Sequence, residues 1–389
     1  MDQHADRLTA EPFDQLRLRR SAKWRTYAPD VIPLTVAEMD FALAEPVRET
    51  LHEAVDRSDT GYAMPAPDLG QAVASFAARR WKWEIDPRAV TAVTDVSVGI
   101  AQLLRVLAAP GDAVLISPPV YSPFYDLVEE VGARVYEVPL AHDPAQGWRL
   151  DLHALESAFA KRPAAYVLCN PHNPVGRAHR PNELAALVEL AARHEVPIIS
   201  DEIHAPLTLP GVSFTPLLSL PGAAAVAVSL ISASKAWNLA GLKCAGVVTG
   251  SKRMQEVVER FPADARWRIG HFGALATVTA FTKGEQWLDQ LLHTLADNRS
   301  LLTNLIGTQL PGITWLPPEA TYLAWLNCAA LGIGDGTAVR DRFLEHGRVA
   351  VTPGPGFGSP GGSHVRLNFA TGPHILAEAI AGMAKALTV

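Results

Sequence analysis

Short apolar runs alternate with longer segments of helical spacing from about residue 90 onward. Four of the apolar runs predict strands, at residues 113–119, 164–174, 196–204 and 224–232. Residues 180–195 carry apolar side chains at helical spacing and predict a helix between the second and third of these strands. Apolar strands that alternate with helices are typical of a parallel sheet with helices on both faces. The pattern therefore predicts an α/β domain.

The pattern changes after about residue 284. A long helical segment over residues 285–310 is followed by Pro-rich and Gly-rich stretches, which predicts a smaller α+β domain. A chain of 389 residues is also longer than one hydrophobic core usually serves. We expect an N-terminal segment (1–44) that packs with the small domain, a large domain (45–283) and a small C-terminal domain (284–389).

Composition and charge exclude several classes of function. With 48% hydrophobic and 19% charged residues and a formal net charge of -6, the chain lacks the basic footprint that nucleic acid requires. The N-terminal residues are polar, and no apolar run approaches the roughly 18 residues of a membrane span, so we expect a cytoplasmic protein without a membrane partner. Cys169, Cys244 and Cys328 are widely spaced in apolar segments, which favours reduced core thiols over disulfides or a metal site.

Polar residues follow several predicted strands, and ligands of parallel sheets bind at this carboxyl edge. Lys235 lies among small residues in an apolar segment, where burial would favour the neutral amine that forms Schiff bases with aldehydes. Asp201 follows an apolar run, where an ionised carboxylate needs a cation such as a protonated pyridine nitrogen. Lys235 could instead be a surface lysine and Asp201 a helix N-cap. Together they indicate pyridoxal 5'-phosphate.

Two further segments fit the same cofactor. Asn173 lies between two prolines, which would hold its amide as a donor to the ring hydroxyl, although a tight turn is the alternative. Residues 94–107 pass from a strand into an amphipathic helix, so the amides near Val96 and Ser97 would face an anion at a helix N-terminus. Hydroxyl groups and positive charge could be added to this phosphate site by Ser232, Ser234 and Lys243.

The motifs "DVSVGIAQL", "NPHNPVG", "SDEIH", "SASKAWNLAGLKCA" and "VRLNFA" stand in one order along the chain. Together they resemble the fold-type I pyridoxal-phosphate enzymes of the aspartate aminotransferase superfamily. The segments "VAEMDF", "PPVYSPF" and "SKAWNLAGLKCA" resemble, more narrowly, the cystathionine β-lyase branch of MalY- and PatB-type C–S lyases. The resemblance implies an aminotransferase-like α/β fold with a mostly parallel seven-stranded sheet, helices on both faces and a smaller α+β domain.

The resemblance also implies a role for each matching position. Lys235 would hold the cofactor as a Schiff base and then remove the substrate α-proton, and Asp201 would pair with the pyridine nitrogen. Tyr121 would stack on the ring face and could assist the leaving group. Arg366 would bind the substrate α-carboxylate. The ring oxygen would be bonded by Asn173 and His204, and the phosphate would be held by Val96, Ser97, Ser232, Ser234 and Lys243.

The implied reaction is α,β-elimination on an L-cysteine S-conjugate, which releases a thiol, pyruvate and ammonia. Ala37 and Asn173 would contact the substrate. Tyr62 would reach the phosphate of the neighbouring subunit, so the active sites would be shared in a homodimer. An aminotransferase or a decarboxylating pyridoxal-phosphate enzyme of a biosynthetic pathway would keep the same cofactor residues. A non-catalytic binding protein on the same fold is the third alternative.

Two positions depart from the family pattern. The family usually has a tryptophan just ahead of the "VAxMDF" motif, where this chain has Thr35. Many relatives have a glycine-bearing phosphate loop where this chain has Asp95, Val96 and Ser97. Loss of an indole near the entrance would open the pocket, so we expect a substrate bulkier than cystathionine.

Overall fold

The computed structural model describes residues 7–64, 67–143 and 147–388. The strands are β1 (Ile32–Pro33), β2 (Val90–Val93), β3 (Ala113–Ile116), β4 (Arg134–Glu137), β5 (Ala141–Asp143), β6 (Gly147–Arg149), β7 (Ala165–Cys169), β8 (Ile198–Asp201), β9 (Ala227–Ile231), β10 (Ala245–Thr249), β11 (Thr314–Trp315), β12 (Leu323–Asn327), β13 (Val349–Ala350), β14 (Thr352–Pro353) and β15 (His364–Asn368). The helices are α1 (Phe13–Leu16), α2 (Ala22–Arg25), α3 (Glu45–Asp56), α4 (Pro67–Trp81), α5 (Val96–Leu107), α6 (Pro123–Glu130), α7 (Leu152–Phe159), α8 (Pro181–His194), α9 (Ala223–Val226), α10 (Lys252–Glu259), α11 (His271–Lys283), α12 (Glu285–Gln309), α13 (Gly336–Gly347) and α14 (Pro373–Ala386).

Seven strands form the central sheet in the order β2-β10-β9-β8-β7-β3-β4. Strands β9, β8, β7, β3 and β4 pair in parallel, whereas β10 is antiparallel to both β2 and β9. Every residue of β7, β8 and β9 is buried, as expected for parallel strands with helices packed on both faces. The predicted seven-stranded, mostly parallel sheet is confirmed.

The strands are shorter than the apolar runs that predicted them. The predicted strands 113–119, 164–174, 196–204 and 224–232 contain β3, β7, β8 and β9. After β3 the prolines at 118 and 119 have no N–H to continue the ladder. The prediction that the fourth strand starts at residue 224 is wrong, because this alanine-rich stretch follows Gly222, at φ +81°, and forms the helix α9. The predicted helix 180–195 is α8.

A smaller antiparallel sheet, in the order β11-β12-β15-β14, belongs to the C-terminal part of the chain. Helices α12 and α13 both pack against α14. The start of the chain joins this part, since β1 pairs in parallel with β13 through Ile32 opposite Val349. The N-terminal residues 35–40 therefore pass between the central sheet and the small sheet, and this position brings them to the site described below.

A buried ion pair fixes the course of the N-terminal residues. Lys23 Nζ lies 2.7 Å from Asp40 Oδ2, and the two side chains are 0% and 1% exposed. The indole N–H of Trp24 donates to Asp40 Oδ1 at 3.1 Å, and Lys23 also donates to the carbonyl of Glu38 at 3.3 Å. A buried carboxylate is stable only when it is paired and hydrogen-bonded in this way.

The remaining sequence-level expectations concern thiols, metals and membranes. Cys169, Cys244 and Cys328 are free and buried. Across residues 7–64, 67–143 and 147–388, no helix has both the length and the apolar character that a bilayer span needs. Within the same ranges, no group of three or more His, Cys, Asp or Glu side chains is arranged to hold a metal ion.

Candidate active site

A cavity of about 370 Å³ opens at the carboxyl edge of the central sheet. Its wall combines residues that follow β3, β7, β8 and β9 with the first turn of α5, the N-terminal residues 35–37 and the small sheet. A ligand site at this edge is expected for a parallel sheet. The predicted site residues that line the cavity are Ala37, Val96, Ser97, Tyr121, Asn173, Asp201, His204, Lys235 and Arg366.

Lys235 lies in the turn after β9, and its amine donates to the carbonyl of Ala37 at 3.2 Å. Burial, together with the positive charge of Arg366, lowers the pKa of Lys235 to about 8, although Glu38 and Asp201 act in the opposite direction. The ammonium form is disfavoured because burial removes it from water. Lys235 therefore loses its proton more readily than an exposed lysine, which raises the fraction of neutral, nucleophilic amine near neutral pH.

Asp201 is the last residue of β8 and is buried. Its Oδ1 accepts the N–H of Ile203 at 3.0 Å. Burial raises the pKa of Asp201 to about 6, although the Ile203 N–H and the charge of Lys235 both lower it. An ionised carboxylate at this depth is stabilised by any cationic group that enters the cavity.

Arg366, on β15, reaches across the cavity from the small sheet. Its Nη1 donates to Asn173 Oδ1 at 3.1 Å and its Nη2 donates to the carbonyl of Thr35 at 3.0 Å. Burial lowers the pKa of Arg366 to about 10. Its Nε is buried and has no hydrogen-bond partner in the part of the chain that the structure describes. The guanidinium thus keeps donor capacity for an anion in the cavity.

His204 and Tyr121 complete the polar lining. Burial lowers the pKa of His204 to about 3, with help from the charges of Lys235 and Arg366, so its imidazole is neutral. Its Nδ1 is buried without a hydrogen-bond partner among the described residues. Burial, together with the charge of Asp201, raises the pKa of Tyr121, so its hydroxyl keeps its proton. Both groups are available to hydrogen-bond a ligand.

Side chains from distant elements hold the N-terminal residues 35–40 against the cavity. Asn368 donates to two of their carbonyl oxygens, both at 2.7 Å, and Tyr322 donates to a third at 3.0 Å. Asn238 accepts the N–H of Met39 at 2.9 Å and donates to its carbonyl at 3.0 Å. Sequence reasoning missed these three side chains, because nothing in the local pattern shows which backbone they contact.

The remaining predicted residues lie outside the cavity lining: Tyr62, Ser232, Ser234 and Lys243. The Ser232 hydroxyl donates to the carbonyl of Cys244 at 2.7 Å and is buried in the turn that precedes Lys235. Lys243 Nζ pairs with Asp95 Oδ2 at 2.9 Å. Tyr62 is 89% exposed on this chain.

The cavity also has lining residues that sequence reasoning did not assign to the site: Thr26, Tyr27, Val36, Cys169, Ile203, Val351, Thr352 and Pro353.

The fold and the site together define an aminotransferase-like protein, with a lysine, an aspartate and an arginine that converge at the edge of a mostly parallel sheet. The chain belongs to the aminotransferase class I and II family, whose model matches residues 29–381. It is similar to cystathionine beta-lyase of Corynebacterium glutamicum, at 32% identity over 375 residues that cover 96% of this chain and 99% of that protein. It is also similar to cystathionine beta-lyase PatB of Bacillus subtilis, at 32% identity over 87% of this chain and 88% of that protein.

Solved structures agree with these relatives. The crystal structure of cystalysin from Treponema denticola, which contains a pyridoxal 5'-phosphate cofactor, has a TM-score of 0.91 and 25% identity to this chain and covers 98% of both chains. The resemblance to the cystathionine β-lyase branch and the fold-type I architecture are therefore confirmed.

Proposed function

We propose that this protein is a pyridoxal-phosphate-dependent C–S β-lyase that cleaves an L-cysteine S-conjugate to a thiol, pyruvate and ammonia. The observation that carries the proposal is the convergence of Lys235, Asp201 and Arg366 on one cavity. These groups supply a reactive amine, a buried carboxylate and a carboxylate-binding guanidinium. The relatives named cystathionine beta-lyase support the reaction class, and the cofactor in cystalysin supports the choice of cofactor.

The residues present fit pyridoxal phosphate. Two buried nitrogen atoms of the lining, His204 Nδ1 and Arg366 Nε, lack hydrogen-bond partners within the described residues. Polar groups of a ligand can supply those partners. When bound, the cofactor supplies an electron sink that stabilises negative charge at the substrate α-carbon. Lys235 would bind the aldehyde, and Asp201 would pair with the pyridine nitrogen. Asn173 and His204 would bond the ring oxygen, and Tyr121 would stack on the ring face. The amides of Val96 and Ser97 would hold the phosphate.

The phosphate end would use the first turn of α5, where backbone N–H groups and the helix dipole favour an anion. Asp95 caps this turn by accepting the N–H of Val98 at 2.8 Å, which places a negative charge next to the proposed phosphate. Lys243 pairs with Asp95 and offsets that charge. We therefore assign Lys243 an electrostatic role at the phosphate end, and Ser232 the role of supporting the turn before Lys235.

Four side chains of the cavity would each take a different role in an elimination reaction. Arg366 would fix the substrate α-carboxylate and so orient the bond to the α-hydrogen. The neutral Lys235 amine would act as the base that removes the α-proton, and its lowered pKa suits this task near neutral pH. Asp201 would remain ionised while it pairs with the pyridine nitrogen of the cofactor. Tyr121, which keeps its proton, can donate to the departing sulfur.

We further propose a homodimer that shares its active sites and acts in the cytoplasm. Tyr62, Met64 and Trp267 expose 89%, 74% and 54% of their area on a single chain. Asp59 lies 3.1 Å from His271, so the segments that carry these exposed side chains are neighbours. A second subunit would cover this surface and place Tyr62 near the partner's phosphate site. Sedimentation should show a dimer, and Tyr62→Phe should weaken cofactor binding.

The test is a measurement of pyruvate and thiol release across a panel of cysteine S-conjugates of increasing size. We expect both products in equal amounts, with Lys235→Ala as the inactive control. Release of the substrate's own keto acid in place of pyruvate would favour an aminotransferase. Borohydride reduction of the loaded protein, followed by peptide mapping, should label Lys235. A protein that neither takes up the cofactor nor releases pyruvate would be a binding protein, and the proposal would be wrong.

A further inference from the structure

Two buried histidines form a chain of contacts behind the cavity. His172 Nε2 lies 2.9 Å from the carbonyl oxygen of Pro119, and His172 Nδ1 lies 3.3 Å from His179 Nε2. His179 Nδ1 lies 3.5 Å from Glu183 Oε2, at the first turn of α8. Both histidines are 1% exposed, and neither has a role in the reaction proposed above.

The partners at the two ends of this chain fix where the ring protons lie. The carbonyl of Pro119 can only accept, so Nε2 of His172 carries a proton. A neutral His172 then has a bare Nδ1, which accepts the Nε2–H of His179. The other ring nitrogen of His179, Nδ1, lies 3.5 Å from Glu183 Oε2 and makes no hydrogen bond among the described residues. His179 is thus the donor to His172 and lies between that histidine and the carboxylate of Glu183.

Electrostatics support this assignment. Burial, together with the neighbouring His179, lowers the pKa of His172 to about 3, so His172 is neutral. Burial raises the pKa of Glu183, but the contact with His179 and the N–H groups of Leu150 and Arg180, at 2.5 and 3.2 Å, lower it to about 2. The anion that pairs with His179 therefore persists throughout the neutral pH range.

Two arginines and a second carboxylate also lie around this chain, and one of the arginines lies near Glu183 as well. Arg177 Nη2 lies 4.0 Å from Glu183, and Arg177 Nη1 lies 3.6 Å from Glu319. Arg180 also pairs with Glu319. These pairs leave Glu183 as the acidic group closest to His179 among the described residues.

The contact between His172 and Pro119 joins two loops of the cavity. His172 precedes Asn173, whose Oδ1 accepts from Arg366 at 3.1 Å. Pro119 lies two residues ahead of Tyr121 on the loop after β3. A hydrogen bond between the loops sets the distance between the Asn173 and Tyr121 positions, both of which line the cavity.

We propose that His172, kept in its Nε2–H tautomer by His179 and Glu183, is a positioning residue that holds the Asn173 and Tyr121 loops at a fixed separation. The kinetic part of this inference rests on the proposed lyase function, whereas the tautomer does not. Loss of the donor on His179 would let the His172 proton move to Nδ1 and would break the bond to Pro119.

The variants separate hydrogen bonding from packing. His179→Leu keeps the bulk but removes the donor, whereas His179→Gln keeps an amide N–H that can reach His172. His153→Gln, at an exposed histidine of α7, is the matched control. We expect His179→Leu to weaken cofactor binding and to lower kcat/KM, each by about 10-fold, the scale of one lost buried hydrogen bond. His179→Gln should recover most of both losses, and His153→Gln should match the native protein.

The direct readout is the ¹⁵N spectrum of protein labelled at histidine, recorded without and with cofactor. Native protein should show His172 as the Nε2–H tautomer and His179 with a proton on Nε2 at neutral pH. An Nδ1–H tautomer of His172 would overturn the proposal, as would equal losses in cofactor affinity for His179→Leu and His179→Gln. Failure to release pyruvate would reject the lyase function alone, because the tautomer and the cofactor affinities would still decide the role of His172.

Discussion

Asp201→Asn should stabilise the cofactor-free protein and, on the function proposed above, should impair the enzyme. Asparagine has the shape of aspartate and keeps an oxygen that can accept the N–H of Ile203, now bonded at 3.0 Å. The substitution therefore removes the buried negative charge and little else. Without a cofactor, the cationic group in range of Asp201 is Lys235, whose effect is smaller than that of burial.

The magnitude follows from the pKa of Asp201, which rises from 3.8 to about 6 on folding. A carboxyl group with a raised pKa holds its proton more tightly in the folded state than in the unfolded state. The protonated Asp201 therefore imposes no electrostatic cost on folding below about pH 4, and the free energy of unfolding falls as the pH rises through 6. The difference of about two pKa units corresponds to about 3 kcal/mol. Asp201→Asn should raise the free energy of unfolding by this amount at pH 8.

Glu202 supplies a matched control, because it is the next residue and is also fully buried. Burial raises the pKa of Glu202 to about 7, while the N–H of Leu217 and the hydroxyl of Ser200 lower it. Glu202→Gln should therefore give a gain of similar size, at most about 3 kcal/mol. Glu202 does not line the cavity, so its gain should persist when cofactor is bound. The gain from Asp201→Asn should disappear in the loaded protein, where the native carboxylate would pair with the ring nitrogen of the cofactor.

The assay is urea denaturation of the cofactor-free and loaded proteins at about pH 5 and pH 8, with the midpoint and slope fitted for each variant. The reasoning is refuted if cofactor-free Asp201→Asn gains less than about 1 kcal/mol at pH 8 or gains as much at pH 5. It is also refuted if the gain survives cofactor binding, since the carboxylate would then have no favourable contact with the cofactor.

Three further substitutions test other parts of the site. Arg366→Lys should raise KM by about 10- to 100-fold with a smaller change in kcat, because an ammonium loses the two-donor contact with a carboxylate; an unchanged KM in steady-state assays would place the carboxylate elsewhere. Lys23→Met should cost about 3–5 kcal/mol in urea denaturation, because it leaves buried Asp40 without its cation, and the loss should be recovered in a double variant with Asp40→Leu. Thr35→Trp should lower turnover of bulky conjugates about 10-fold relative to cystathionine, and equal losses for both substrates would show that position 35 does not limit substrate size.

Much of the fold was predictable because its signals are local. Strands β3, β7, β8 and β9 are short apolar runs that end in proline or polar residues, and α8 has a clear helical period. Strand β10 was missed because "AGVVT" begins with alanine and glycine, which have low strand propensity, and its antiparallel direction depends on its neighbours in the sheet. The short pairing of β1 with β13 has no local signal either.

The site was predictable where its residues follow strands, because parallel strands bring their carboxyl ends to one edge. Asp201 and Lys235 are found there for that reason. The direction of a side chain within a turn was not predictable, so Ser232 points to a backbone carbonyl instead of lining the cavity. The contact of His172 with His179 depends on how the loop after β7 folds back onto the start of α8.

The pairing of β1 with β13 also affects the order in which the protein can be made. Val349, the partner of Ile32, is synthesised more than three quarters of the way along the chain, and the side chains of Arg366 and Asn368 that hold residues 35–40 come later still. A nascent chain halted on the ribosome after β10 would contain every strand of the central sheet but could not close the cavity. The complete site for vitamin B6 can therefore form only after nearly the whole chain has been synthesised.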